Sequence, residues 1–163
     1  DVADFADEHL FGPLGMTATL TRDGAGNVTL YSGIEAGCLD MARFMLMVQR
    51  RGEWGDRRIV SPEFVSEAIA PATDLNNAYG LLFWRNADPP WDHTDPRRDR
   101  STRFWPQAPL DAYMASGAGD QVSMVLPSQN TLFVRVGPLG ASSGHDGVVA
   151  DELAGLMVAT LEG

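Results

Sequence analysis

The sequence predicts an α+β chain, and three observations predict it. Residues 111–137 read as a strand, a glycine-rich crossing, a second strand, a turn and a third strand. Residues 39–51 and 61–70 read as two helices with legible ends. A last amphipathic helix is marked by Val149, Leu153, Leu156, Met157 and Leu161.

The strands come first because the chemistry sits on them. Val122, Met124 and Leu126 alternate with Ser123 and Val125, and Pro127-Ser128-Gln129-Asn130 stops the run before Thr131, Phe133 and Val136 resume it. β-branched and aromatic residues favour strand. A break of Pro, Ser and Asn is hairpin-turn chemistry, so the strands are antiparallel. Upstream, Gly117-Ala118-Gly119 interrupts the apolar strand 112–115. Glycine in a strand marks a bulge or a close approach of another backbone or a ligand. An exposed N–H at such a point is what acyl-transfer enzymes use to hold an oxyanion; the plain alternative is a glycine-containing hairpin.

Val2, Phe5, Ala6 and Leu10 form one helical face, which Gly12-Pro13 is expected to end. Residues 17–21 and 28–31 are strand-like pieces around Asp23-Gly24-Ala25-Gly26-Asn27, and 33–37 is a loop. In the 39–51 helix, Asp40 opens the first turn, Arg50 and Arg51 close the last, and Gly52 follows as the C′ residue. Leu39, Met41, Phe44, Met45, Leu46 and Val48 leave it little polar face, so it is expected to be buried. Residues 52–55 are a turn. Ser61-Pro62-Glu63 starts the next helix, with Ser as N-cap and Pro at N1, and Pro71 closes it. Residues 79–84 read as a strand. The polar stretch 86–109 carries Trp91, Phe104 and Trp105, and is either a folded loop walling a pocket or a surface insertion.

Composition excludes several classes. With 44% hydrophobic and 21% charged residues the chain is globular rather than disordered. A net charge of −10, with its one arginine run interleaved with Asp95 and Asp99, argues against nucleic acid. No apolar run is long enough to span a membrane. His9, His93 and His145 have no metal-ligand spacing, and no GxGxxG motif leads from a strand into a helix, so no metal or other cofactor is expected. Ser142, Ser143, His145 and Asp146 are too close in sequence for a triad, whose members come from separate elements. They read as a loop, with Asp146 as the N-cap of the last helix. Arginine supplies all 12 basic residues, so lysine chemistry is excluded within the chain.

The order of these signals is more specific than any one of them. Pro13-Leu14-Gly15-Met16, the Asp40-Met41-Ala42-Arg43-Phe44 helix and Gly119-Asp120-Gln121 through Pro127 follow one another in an order that resembles the C-terminal half of the serine β-lactamase-like hydrolases. That group comprises class C β-lactamases, related penicillin-binding proteins, esterases and amide hydrolases. The resemblance implies an antiparallel sheet flanked by helices with a helical subregion, of which only the C-terminal portion is present. Residues 1–71 would be helical-region material, and 79–163 the sheet strands and closing helix. It implies acylation and deacylation of a serine in Ser-x-x-Lys, which lies outside this chain, together with the missing N-terminal segment or a second chain as partner. The chain alone is then inactive.

Ala115-Ser116-Gly117 occupies the place of the family's third motif, with alanine where lysine or histidine is often found. That change puts β-lactam carboxylate recognition in doubt and favours a small-molecule ester or amide substrate. The backbone N–H of Ala118 is the implied oxyanion donor. Ser116 either hydrogen-bonds substrate or is a strand serine facing solvent. Gly117, Phe104 and Trp105 complete the expected substrate contacts, and Tyr31 and Tyr79 fall too late for the family's tyrosine. The alternative is a catalytically inactive relative acting as a binding or structural module.

Overall fold

In a computed structural model of the chain, residues 1–30, 32–93, 98–119, 121–137 and 148–162 are described, 148 and 149 by their backbone alone. Helix α1 (Val2–Ala6) passes through a π-helical turn, Asp7–Phe11, into α2 (Gly12–Leu14) and ends on Gly15 at φ 65°. Gly12-Pro13 therefore does not stop the helix. The wider turn ahead of Pro13 accommodates a residue that lacks an N–H and crowds the carbonyl one turn back. Phe11 and Leu14 are the buried residues, while Val2 and Phe5 of the expected apolar face are exposed.

Strand β1 (Thr19–Leu20) pairs antiparallel with β2 (Ile34–Glu35), which lies inside the stretch read as a loop. Between them the two strand-like pieces meet in one antiparallel bridge, Arg22 to Val28, with the Thr29 N–H donating to Thr21 O at 3.0 Å, around a turn at 23–27. The Asp23 carboxylate accepts the N–H groups of Ala25 and Asn27, both at 2.9 Å, which satisfies the backbone locally instead of through a ladder.

Helix α3 (Cys38–Gln49) ends in a Schellman motif, the Gly52 N–H donating to Met47 O and the Arg51 N–H to Val48 O, both at 2.9 Å. The C′ residue is thus Arg51, at φ 56°, one position before the expected Gly52. Glycine is still required next, because a Cβ at Gly52 would stand 2.0 Å from the Val60 carbonyl oxygen. Met45, Met47 and Val48 are buried but Leu39 is 73% exposed, so the helix is covered on one side rather than enclosed. At its start, the Asp40 carboxylate accepts the N–H groups of Thr17 and Gly37, both at 3.2 Å, and a bond from Arg43 at 3.0 Å. Arg43 also donates to Gly15 O at 2.8 Å, so the pair ties the end of α2 to the start of α3.

Strands β3 (Glu53–Trp54) and β4 (Arg57–Arg58) form a small hairpin where a bare turn was expected. Helix α4 (Pro62–Ile69) begins as predicted, the Ser61 hydroxyl accepting the Phe64 N–H at 3.1 Å. The expected 79–84 strand is instead a tight turn leading into β5 (Trp84–Arg85), with the Gly80 N–H on Phe83 O at 2.8 Å. The Leu81 N–H donates to Ala68 O at 2.9 Å, pinning this turn to the end of α4.

Strands β6 (Tyr113–Gly117), β7 (Gln121–Leu126) and β8 (Thr131–Arg135) form an antiparallel meander, and β5 completes a four-stranded sheet in the order β5-β6-β7-β8. On one face Met114, Val122, Met124 and Leu126 pack with Phe104, Trp105 and with Ala150 and Ala154 of α5 (Val148–Glu162). On the other, Tyr113 and Val125 pack with Phe11, Leu14, Met45, Met47 and Val48. The last helix exists as predicted, and only part of its expected face, Met157, packs on the core. Ala150 and Ala154 are buried, whereas Leu156 and Leu161 are exposed, because small side chains let the helix lie close over the aromatic layer.

That layer is held by Asn86, which is fully buried. Its Nδ2 donates to the carbonyls of Trp105, Ala108 and Pro109, each at 3.0 Å, and its Oδ1 accepts the Trp105 N–H at 2.9 Å. The described residues of the 86–109 stretch accordingly form a folded loop around the core. We predict that Asn86→Ala lowers stability by about 3 kcal/mol, since several buried polar groups lose their partner at once. Asn86→Asp is expected to do worse, because it adds a buried charge and removes the donors. Urea unfolding of the two variants checks both; a loss below about 1 kcal/mol would remove Asn86 from this role.

The hydrogen bond from the Thr17 N–H, then that from Gly37 and the Arg43 charge, hold the Asp40 carboxyl below its ordinary value of 3.8. The sign follows from linkage: the contribution is complete above 3.8 and is lost as pH falls through the lowered folded-state value. Asp40→Asn is therefore expected to flatten the acid limb of a pH–stability curve. An acid limb identical to that of the parent protein would count against this tie.

Candidate active site

The end of β6 and the turn after it form one wall of a cleft of about 390 Å³. Ala115, Ser116, Gly117 and Ala118 lie on that wall, with Gln121 and Ser123 of β7 beside them. The opposite wall comes from Ser32, Ile34, Ala36 and Met41, in and around β2 and the start of α3. Ser123 stands opposite Ala115 in the ladder and is 4% exposed, the one polar residue among the buried positions of β7.

β6 is paired unevenly. Strand β5 covers only Tyr113 and Met114, whereas β7 runs alongside all of Tyr113–Gly117. Among the described residues, Ala115–Gly117 therefore present one open backbone edge at the cleft. Such an edge offers N–H and C=O groups to an extended ligand or another strand. Gly119 holds the turn with φ 77°, and a Cβ at Gly117 would come 3.3 Å from Gln121 Cβ.

Among the described lining residues none is ionisable; hydroxyls, a carboxamide and backbone groups are the polar atoms. Tyr113 does not supply a base. Burial, helped by the Asp111 carboxylate, pushes its phenol well above the ordinary range, so it stays protonated. Tyr79 packs edge-on against Trp84, with ring centroids 4.5 Å apart, and Tyr31 lies outside the described residues. Residues 142–146, with the serines and histidine set aside from a triad, also lie outside them.

Ser116, Gly117 and Ala118 thus meet in one cleft, while Phe104 and Trp105 do not join them. These two were expected to contact substrate, and the structure corrects that reading. Phe104 is 1% and Trp105 0% exposed, in the core on the α5 side of the sheet. Phe104 stacks on Trp84 at 5.1 Å, and the Arg98 guanidinium lies 4.0 Å over its ring. The physical cause is the Asn86 clamp, which draws Trp105 inward by both its N–H and its carbonyl. The sequence reading missed Ser32, Gln121 and Ser123. A serine inside an apolar strand was a signal for Ser123, but the pairing that brings Ser32 across was hidden in strands of two residues.

The architecture matches two solved structures at low identity. One, assigned as a β-lactamase from Bacteroides dorei DSM 17855, has a TM-score of 0.64 at 16% identity, over 100% of this chain and 52% of that one. The other, assigned as a 6-aminohexanoate-dimer hydrolase from Bacillus anthracis, has a TM-score of 0.69 at 14% identity, over 97% of this chain and 37% of that one. The fold is β-lactamase-like. No family model and no curated protein matches the sequence. The chain spans about half of one structural neighbour and just over a third of the other.

The relocation of Trp105 in this β-lactamase-like fold is open to a direct test. With Trp54, Trp84 and Trp91 replaced by Phe, the remaining indole of Trp105 is expected to emit at short wavelength and to resist acrylamide. An indole quenched as readily as free tryptophan would return it to an open pocket.

Proposed function

We propose that this chain is part of a serine hydrolase that cleaves an ester or amide bond of a small molecule through an acyl-serine intermediate. In this reading residues 1–71 are helical-region material and 79–163 the sheet and closing helix. The observation that carries it is the Ser116-Gly117-Ala118 corner. An open strand edge and a glycine turn meet there at a cleft in a β-lactamase-like fold.

The chemistry follows from what the corner offers. A serine oxygen attacks the substrate carbonyl carbon, the C=O π pair moves onto oxygen, and the oxyanion needs N–H donors aimed at it. The Ala118 N–H is one such donor. Ser116 hydrogen-bonds the substrate beside the scissile group. Collapse of the intermediate expels the alcohol or amine, which takes up the proton that the base removed from the serine hydroxyl. Water, giving its proton to the same base, then attacks the acyl-serine to release the acid, and that proton returns to the serine oxygen. Among the described lining residues none is ionisable and the chain has no lysine, so in this reading nucleophile and base come from Ser-x-x-Lys outside these residues, and the chain alone is inactive. Both neighbours are named for substrates consistent with this bond class, a β-lactam and a dimer of an amino acid.

A second reading has its own observation. Ala115 puts a methyl group where a cationic residue would hold a carboxylate, which suits an inactive relative that binds a wall fragment or peptide. A fluorophosphonate separates the two. In the protein that contains these residues, intact mass is expected to gain one phosphonyl group on a serine outside 1–163; no gain leaves the inactive relative. Ala118→Pro, which removes the N–H, is expected to lower kcat about 10²–10³-fold, as for loss of one oxyanion donor. An unchanged kcat would take Ala118 out of the reaction.

A further inference from the structure

We infer that Gln121 is a positioning residue that fixes the Gly117-Ala118-Gly119 turn in the geometry an oxyanion donor requires, an inference that rests on the acyl-serine reading. The turn is built from residues poorly able to hold themselves. Gly117 and Gly119 have no side chains to lock the backbone, and Gly119 sits at φ 77°. The last rung between β6 and β7 is Gly117 to Gln121, and the outermost rung between β7 and β8 is Val122 to Arg135. Past those rungs the paired ladder no longer ties the turn to β8.

The Gln121 side chain replaces the missing rung. Its Oε1 accepts the Gly137 N–H at 2.8 Å, and its Nε2 donates to the Gly137 carbonyl at 3.0 Å. The carboxamide thereby pairs with Gly137 much as a strand's peptide groups would. The same Nε2 donates to the Gly119 carbonyl at 3.2 Å. One planar amide therefore joins two glycine pivots, Gly119 at φ 77° and Gly137 at φ 120°. Its stem lies against Gly117, so the support reaches both sides of Ala118.

Only a primary amide on this length of stem fits the three bonds. They need one acceptor and two N–H hydrogens in a plane. Glutamate keeps the acceptor and loses both donors; methionine keeps the volume and loses all three. Asparagine is one methylene short. Gln121 makes no attack and transfers no proton. Loosening the turn weakens a donor that matters most where charge develops, so it is expected to lower kcat and leave ground-state binding almost intact.

The test uses the protein that contains this chain, as parent, Gln121→Met and Gln121→Glu. Fluorophosphonate labelling rate, kcat and KM on a p-nitrophenyl ester, thermal unfolding and amide exchange over 115–121 are measured on each. Folded variants are expected to label and turn over about 10–100-fold more slowly, with KM within about twofold and faster exchange at 117–119. A folded variant that labels at the parent's rate, or loses only KM, overturns the inference. Failure of both variants to fold also overturns it, since Gln121 is then a stability residue. An unlabelled parent protein sinks the acyl-serine reading itself. A labelled parent with an equally labelled Gln121→Met sinks only this inference.

Discussion

Strand β7 is buried on both faces, with Val122, Met124 and Leu126 against α5 and the aromatic loop and Val125 against α3, so the other elements are placed by how they cover it. Each of these four side chains is fully buried. At about 1.5–3 kcal/mol apiece they supply a gross stabilisation comparable with the whole net stability of a typical domain. The Asn86 clamp lays the loop on one face, and the Asp40–Arg43 tie sets α3 on the other. Where the apolar run of β7 is broken, the buried Ser123 lines the cleft.

What was legible in the sequence was the part fixed by short-range rules. Alternation found β7 and β8, turn chemistry found the break at 127–130, and Ser61-Pro62 found the start of α4, because each depends on neighbours in sequence. The errors share a different cause. Apolar periodicity tells where a face is and not whether anything covers it. Leu156 and Leu161 carry the helical pattern of α5, yet Ala150 and Ala154 make the contact because the opposing surface is already filled by large aromatics. Leu39 likewise belongs to an apolar helix but faces outward. The β1–β2 pair, two residues on each strand, is below what any period can register.

The site was legible to a similar degree. Glycines interrupting an apolar strand marked Gly117-Ala118-Gly119 on local grounds, Ser116 entered only through the resemblance, and Ser116, Gly117 and Ala118 lie along one cleft. Phe104 and Trp105 were misplaced because an aromatic in a long loop serves equally as pocket wall or as core. The decision between them belongs to Asn86, nineteen positions before Trp105. Gln121 was quoted only as part of a motif. Its role depends on Gly137, sixteen positions away, and on a carboxamide orientation that no sequence pattern encodes.

The uncharged character of the described lining residues bears on what such a site can bind. Its described lining holds no ionisable residue, and the polar groups these residues contribute are peptide dipoles, hydroxyls and one carboxamide. Dipoles fixed by a rigid turn stabilise charge as it develops, without first having to release a counter-ion. They offer little to a charge already present in the substrate, which a cation would bind far better. Under the acyl-serine reading, Ala115 in place of a basic residue then favours an uncharged acyl group beside the scissile bond. The selectivity and the rate would thus share one origin. Both would depend on a backbone corner held still, and beside it the Gln121 carboxamide bonds Gly119 and Gly137.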